Sequence, residues 1–166
     1  MVTKEKAGQA LKKAARAIPG IASYQDKEAS RDADKELRMG LSRRLDDLLG
    51  SLERLKTDQA KMGAYKHLKE VDDLTRHMEK VSRLLQFAPR GYAGVFAGEH
   101  VDRDKLKQLF EFDKGLLDIL SELECSIQEL TSKGAVVKGE ELGGVRSRLG
   151  HMEKKIKDRE LLLRGS

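Results

Sequence analysis

Hydrophobic residues recur every three and four positions along four long stretches of the chain, which predicts four amphipathic helices. The clearest repeat consists of Leu106, Leu109, Asp113, Leu116, Leu120, Leu123, Ile127 and Leu130. It predicts a helix over 102–132, and similar repeats predict helices over 24–57, 62–88 and 141–163. Steps of three and four residues keep one helix face against its neighbours. The sequence therefore predicts an all-α fold: an up-down-up-down four-helix bundle with coiled-coil-like packing.

The repeat of the first long helix fails after Leu55, because its next positions fall on Gln59 and Met62. This failure predicts a turn between helices within 57–63, with Asp58 as a cap for the helix that follows. The alternative is one continuous helix whose repeat contains a stutter.

Five charged residues occupy positions of the repeats that otherwise hold leucine: Arg31, Asp34, Arg38, Asp113 and Arg159. In an up-down-up-down bundle all five belong to the same end. Charges at core positions are costly unless they are paired. We therefore expect a polar end cluster made of Arg31, Asp34, Arg38 and Asp113, in which Asp113 pairs with Arg38 or Arg31.

The longest interruption of the helical pattern, residues 88–101, belongs to this same end of the bundle. Loops of this length inside a compact domain are usually functional or disordered, and its apolar residues argue against disorder. Arginine and aromatic residues are enriched at binding hot spots. The sequence thus predicts a partner-binding loop that uses Arg90, Gly91, Tyr92, Gly94 and Phe96. The alternative is that the loop only covers the charged cluster.

Residues 1–20 form a basic arm that ends at Pro19-Gly20 and precedes a bundle domain over 21–166. Its basic residues are Lys4, Lys6, Lys12, Lys13 and Arg16. With Glu5 they give the arm a charge of +4, out of +5 for the whole chain. A short amphipathic helix here could contact phosphate or an anionic membrane, although its apolar stripe is mostly alanine. A solubilising terminus is the alternative.

Composition narrows the remaining classes of function. Charged residues make up 37% and aromatic residues 4% of the chain, which is typical of long helices. No Glu-x-x-His pair, Walker A sequence or paired-cysteine motif occurs, so we expect no metal and no cofactor. Nucleic acid is disfavoured because the arm lacks interleaved aromatic residues. The single Cys125 and the lack of a signal or spanning segment predict a cytoplasmic protein.

Three blocks of the chain carry a family resemblance: IPGIASYQDKEASRDADKELR at 18–38, GYAGVF at 91–96 and LFEFD at 109–113. They resemble a family of small uncharacterised bacterial helical proteins. That family has a Pro-Gly-x-x-x-Tyr-x-x-Lys-Glu opening, a Gly-Tyr-x-Gly-Phe-Phe loop and a Tyr-x-x-Asp motif. Here Val95 replaces the first phenylalanine of the loop, and Phe110 stands in the tyrosine position. The resemblance implies a shared helical fold and no particular activity.

These observations favour a non-enzymatic helical scaffold or adaptor that binds a protein partner through the bundle end with the 88–101 loop. The long leucine repeats also leave room for self-association as a homodimer. Two alternatives remain open at this point. One is a peripheral membrane-surface protein that uses the basic arm, and the other is an enzyme or ligand-binding bundle that uses the polar end cluster.

Overall fold

The computed structural model describes residues 27–88 and 103–164, and for residues 27–33, 103 and 106 it describes the backbone alone. These ranges contain four α-helices: α1 (Lys27–Lys61), α2 (Leu68–Gln86), α3 (Arg103–Ser132) and α4 (Gly139–Arg164). A 3₁₀ turn, Tyr65–His67, leads into α2, and no strand occurs in the described ranges. The predicted all-α bundle is confirmed. The predicted N-terminal helix lies outside the described residues.

The four helices form a square in which α1 packs against α2 and α3, and α4 packs against the same two helices. Helices α1 and α4 therefore occupy opposite corners. The chain directions alternate as predicted, so the starts of α1 and α3 and the ends of α2 and α4 share one end. We call this the polar end. The two turns, 62–67 and 133–138, share the other end, which we call the hairpin end.

The core follows the predicted repeats closely. Every predicted position of α4 is buried: Leu142, Val145, Leu149, Met152, Ile156, Arg159 and Leu163. The same holds for the α2 repeat, which consists of Val71, Leu74, Met78, Val81 and Leu85. In α1, Leu48 is the exception, because it is only partly buried against the core. Burial of these aliphatic side chains is the main favourable contribution to folding.

Helix α1 runs to Lys61, beyond the predicted end at residue 57. The predicted turn between α1 and α2 exists, so the alternative of one continuous helix is wrong. Gly63 provides the turn with a φ of 68°, a conformation that side-chain-bearing residues rarely adopt. Asp58 does not cap α2, because it lies inside α1 and its carbonyl accepts the Met62 N–H. The repeat continues through Gln59, which is buried although it is polar.

The turn between α3 and α4 is better packed than its sequence suggests. Ala135 and Val137 are both buried, so the turn contributes to the core at the hairpin end. Helix α4 begins at Gly139, two residues before the predicted start. The backbone N–H of Lys138 donates to Oε2 of Glu141 at 3.1 Å, which satisfies one of the donors that a helix start leaves unpaired.

Candidate functional site

Asp113 and Arg159 form a buried ion pair between α3 and α4 at the polar end. Asp113 is 0% exposed and Arg159 is 4% exposed. The Nε of Arg159 donates to Oδ1 of Asp113 at 2.5 Å, and its Nη2 lies 3.5 Å from Oδ2. The prediction that Asp113 is a paired core charge is confirmed, but the expectation that it pairs with Arg38 is wrong. The side chain of Arg31, the other predicted partner, lies outside the described part of the chain.

Arg159 contacts a second carboxylate, on the helix diagonally opposite. Its Nη2 lies 2.6 Å from Oδ1 of Asp34 in α1. The other oxygen of Asp34 accepts a hydrogen bond from Nε of Arg38 at 2.8 Å. Arg38 then donates through Nη1 to the carbonyl of Leu85 at 2.9 Å. Because Leu85 lies in the last turn of α2, Arg38 satisfies a carbonyl that the helix end leaves unpaired. One chain of polar contacts therefore joins all four helices.

Among the side chains that the structure describes here, two carboxylates, Asp34 and Asp113, face two guanidinium groups, Arg38 and Arg159. Burial by itself lowers the pKa of Arg159, but the negative charges of Asp113 and Asp34 outweigh it and raise the pKa above its ordinary value. Arg159 therefore stays charged at all relevant pH values, and it does not serve as a proton donor or acceptor. The arrangement suits fixing the helices relative to one another. Removal of one partner from such a pair is costly, because it leaves a buried charge without compensation.

A layer of polar contacts between α1 and α2 follows directly below this cluster. The hydroxyls of Ser42 and Ser82 share a hydrogen bond of 2.8 Å. Ser82 also contacts Oδ1 of Asp46 at 2.7 Å, and the amide of Gln86 donates to Ser42 at 2.8 Å. This layer was not predicted from the sequence. Each serine directly follows a residue of the aliphatic repeat, and that adjacency is the one signal that could have indicated it.

An open groove of about 450 Å³ runs between α2 and α4 and reaches the polar end. It is lined by Arg76, Glu79, Lys80, Arg83, Leu84, Phe87, Ala88 and Glu160. Phe87 follows the last residue of α2, and it is 77% exposed. Leu161, in the last turns of α4, is exposed as well. This groove was not predicted, because Phe87 has the sequence context of an ordinary residue at a helix end.

A second groove of about 440 Å³ lies between α3 and α4 on another side of the same end. Its main feature is Phe112, whose ring centre lies 5.6 Å from Nζ of Lys155. A cation at this distance is attracted to the face of the ring. Gly115, one turn further along α3, leaves the space that the Lys155 stem occupies.

The other predicted sites lie outside the described residues. These are the partner-binding loop with Arg90, Gly91, Tyr92, Gly94 and Phe96, and the basic arm with Lys4, Lys6, Lys12, Lys13 and Arg16. Among the residues that are described, no group of three or more histidine, cysteine or carboxylate side chains could hold a metal ion. None of the described helices combines the length and apolar character needed to cross a bilayer.

Comparison with known proteins adds no relative. No protein-family model matches the chain, and neither a curated protein nor a solved structure matches it.

Proposed function

We propose that this protein is a non-enzymatic helical adaptor that binds a protein partner through the polar end of its bundle. The observation that carries the proposal is the exposed Phe87 beside an open groove, where the chain leaves α2 toward the 88–101 loop. Contiguous exposed apolar surface that is rimmed by polar residues marks protein interaction sites, and here Phe87 and Leu84 line the same groove.

The composition of the groove supports a protein partner. Phe87 and Leu84 provide apolar surface, and the groove has a charged rim of both signs. The charged residues are Arg76, Glu79, Lys80, Arg83 and Glu160, and Arg83 pairs with Glu79. Aromatic and arginine side chains contribute disproportionately to binding energy at protein interfaces. The charged cluster below the groove supports this role in another way, because it fixes the four helix ends that carry the surface.

The experiment is site-specific crosslinking in cells. A photoreactive phenylalanine analogue replaces Phe87 in one full-length variant and Val136, at the hairpin end, in a matched control. Both side chains are about three quarters exposed, so the two probes are equally accessible. A difference in crosslinking therefore shows which surface contacts the partner. The adaptor role predicts a discrete crosslinked protein from position 87 that is absent from position 136.

The crosslinked protein is then purified, and its affinity is measured for wild type, for Phe87→Ser and for Tyr92→Ala/Phe96→Ala. We expect both variants to lose at least tenfold in affinity, as for a central hot-spot residue. Unchanged affinity of both would contradict the proposal. If the protein crosslinked at position 87 is a second copy of this chain, and sedimentation velocity shows a dimer, then the surface serves self-association.

A further inference from the structure

The hairpin end carries a concentration of exposed apolar side chains. Met62 is 73% exposed, Tyr65 is 64% exposed and Val136 is 75% exposed. They make up three of the five large hydrophobic residues exposed in the described ranges. Single exposed apolar residues are common, but a group of them at one end of a bundle indicates an interaction site.

The three side chains come from two turns that touch each other. Met62 and Tyr65 belong to the α1–α2 turn, and Val136 belongs to the α3–α4 turn. His67 lies against the start of α4, where its Cε1 is 3.5 Å from the position that a Cβ on Gly139 would take. Burial of Val137 holds the second turn onto the core. The two turns therefore form one surface, which we call the tip.

The tip is also basic. Residues 59–69 and 130–139 contain Lys61, Lys66, Lys69, Lys133 and Lys138, and they contain no carboxylate. All five lysines are exposed. Five carboxylates lie within two residues of these ranges: Asp58, Glu70, Glu129, Glu140 and Glu141. Glu70 contacts Nδ1 of His67 at 3.0 Å, and Glu141 pairs with Lys133. The two turns thus combine exposed apolar side chains with lysines and contain no carboxylate, and the carboxylates begin in the adjoining helices.

We propose that the tip is a docking site for an anionic lipid bilayer, separate from the polar end and from the basic arm. Lysine is depleted at protein interfaces, which disfavours a protein partner at a surface that carries five of them. Next to anionic lipids each lysine attracts the headgroups, while its methylene stem reaches past the apolar residues. Tyrosine favours the headgroup level of a bilayer, and Met62 and Val136 enter just below it.

The test uses full-length protein in which the five basic arm residues are replaced by glutamine, so that the arm makes no contribution. Flotation is measured with vesicles in which phosphatidylserine makes up about a quarter of the lipid, and with pure phosphatidylcholine. We expect flotation with the anionic vesicles only, and its loss at high salt. Lys66→Gln/Lys138→Gln should weaken partitioning about 25-fold, because each lysine strengthens it roughly fivefold.

The matched control is Lys35→Gln/Lys154→Gln, which removes the same charge from exposed positions away from the tip. We expect it to partition as the parent does. Circular dichroism establishes that both variants keep the helical fold. If both double variants lost vesicle binding equally, the proposal would be overturned, because binding would then depend on net charge and not on the lysines of the tip.

A fluorescent probe locates the contact directly. An environment-sensitive dye is attached at Val136→Cys or, as a control, at Phe87→Cys, each with Cys125→Ser. Insertion of the tip predicts a blue shift with anionic vesicles at position 136 and none at position 87. Flotation without a shift at position 136, or no flotation at low salt, would overturn the proposal. So would a shift at position 136 that appears with membrane-free cell extract and not with vesicles, because the tip would then bind protein.

Discussion

The guanidinium group of Arg159 reaches across the bundle to Asp34, with 2.6 Å between Nη2 and Oδ1, although α4 and α1 occupy opposite corners. The same side chain holds Asp113 of α3 through its Nε. One arginine therefore ties three helices together. Because its contacts are directional and buried, they fix the axial position of each helix more strictly than leucine contacts do.

Replacement of Arg159 by methionine should destabilise the protein by about 3–5 kcal/mol at neutral pH, because it leaves two buried carboxylates without this partner. Urea unfolding at neutral pH measures this loss. Asp113→Ala should also destabilise the protein by about 3–5 kcal/mol, because it leaves Arg159 buried without this carboxylate.

The matched control for this prediction is Arg76→Met. Arg76 is exposed and pairs with Asp72 on its own helix, so its removal should cost about 1 kcal/mol or less. If Arg159→Met cost no more than this control, the cluster would have no role in holding the helices.

Leu120 and Leu48 occupy equivalent steps of their repeats but differ in burial. Leu120 is fully buried, and Leu120→Ala should cost about 2–5 kcal/mol through lost burial and the cavity left behind. The repeat alone predicts the same loss for Leu48→Ala. Since Leu48 is only partly buried, the structure lowers the expected loss to about 1–2 kcal/mol. Urea unfolding measures the loss of unfolding free energy in both variants. Equal losses would show that the difference in burial does not affect the cost of truncation.

The repeats predicted most of the fold because aliphatic spacing directly reflects which face of a helix is buried. They failed where a polar residue occupies a core position. Gln59 is an example, because it interrupts the aliphatic repeat of α1 although its side chain lies in the core. The charged cluster could be predicted from the same repeats, because charged residues occupy positions that otherwise hold leucine.

The pairing of Asp113 with Arg159 could not be predicted from the repeats. Spacing along one helix indicates which face is buried, but it gives no information on how far each helix is shifted along its neighbours. Charged residues on neighbouring helices can pair only when they lie at the same level, and one helical turn already displaces a residue by about 5.4 Å. The groove beside Phe87 and the tip were missed for a related reason, because both depend on where separate helix ends and turns meet.

Two glycines in similar open surroundings should respond to alanine in opposite directions. Gly50 lies inside α1, and a Cβ added there would have no atom within 4 Å, so Gly50→Ala should stabilise the protein by about 1 kcal/mol. At Gly63 a Cβ would meet only Cε2 of Tyr65, at an ordinary contact distance of 3.9 Å, but the φ is 68°. Gly63→Ala should therefore destabilise the protein by about 1 kcal/mol. Thermal unfolding measures both changes. A gain in stability in both variants would mean that the turn at Gly63 adapts to alanine.

Glu153 should make the stability of the bundle depend on acid pH. Its Oε1 accepts hydrogen bonds from Lys157 at 2.6 Å and Lys80 at 2.8 Å, and its Oε2 lies 2.7 Å from Nε2 of His77. The bonds from Lys157 and Lys80 lower the pKa of Glu153 from 4.5 to about 2, although burial opposes the shift. Because the folded pKa is lowered, the carboxylate stabilises the folded state above pH 4.5, and this contribution is lost as pH falls toward 2.

Glu153→Gln isolates this contribution, since glutamine keeps the shape of the side chain but not its charge. The two lysines are exposed, so screening by water limits the effect to about 1–2 kcal/mol at neutral pH. The difference in unfolding free energy between wild type and variant should be constant above pH 4.5 and should narrow steadily below it. Glu79→Gln, which removes an exposed pair with Arg83 within α2, should give a small difference at every pH. A difference between wild type and Glu153→Gln that stayed the same down to about pH 2 would mean that the lysines do not stabilise the ionised carboxylate.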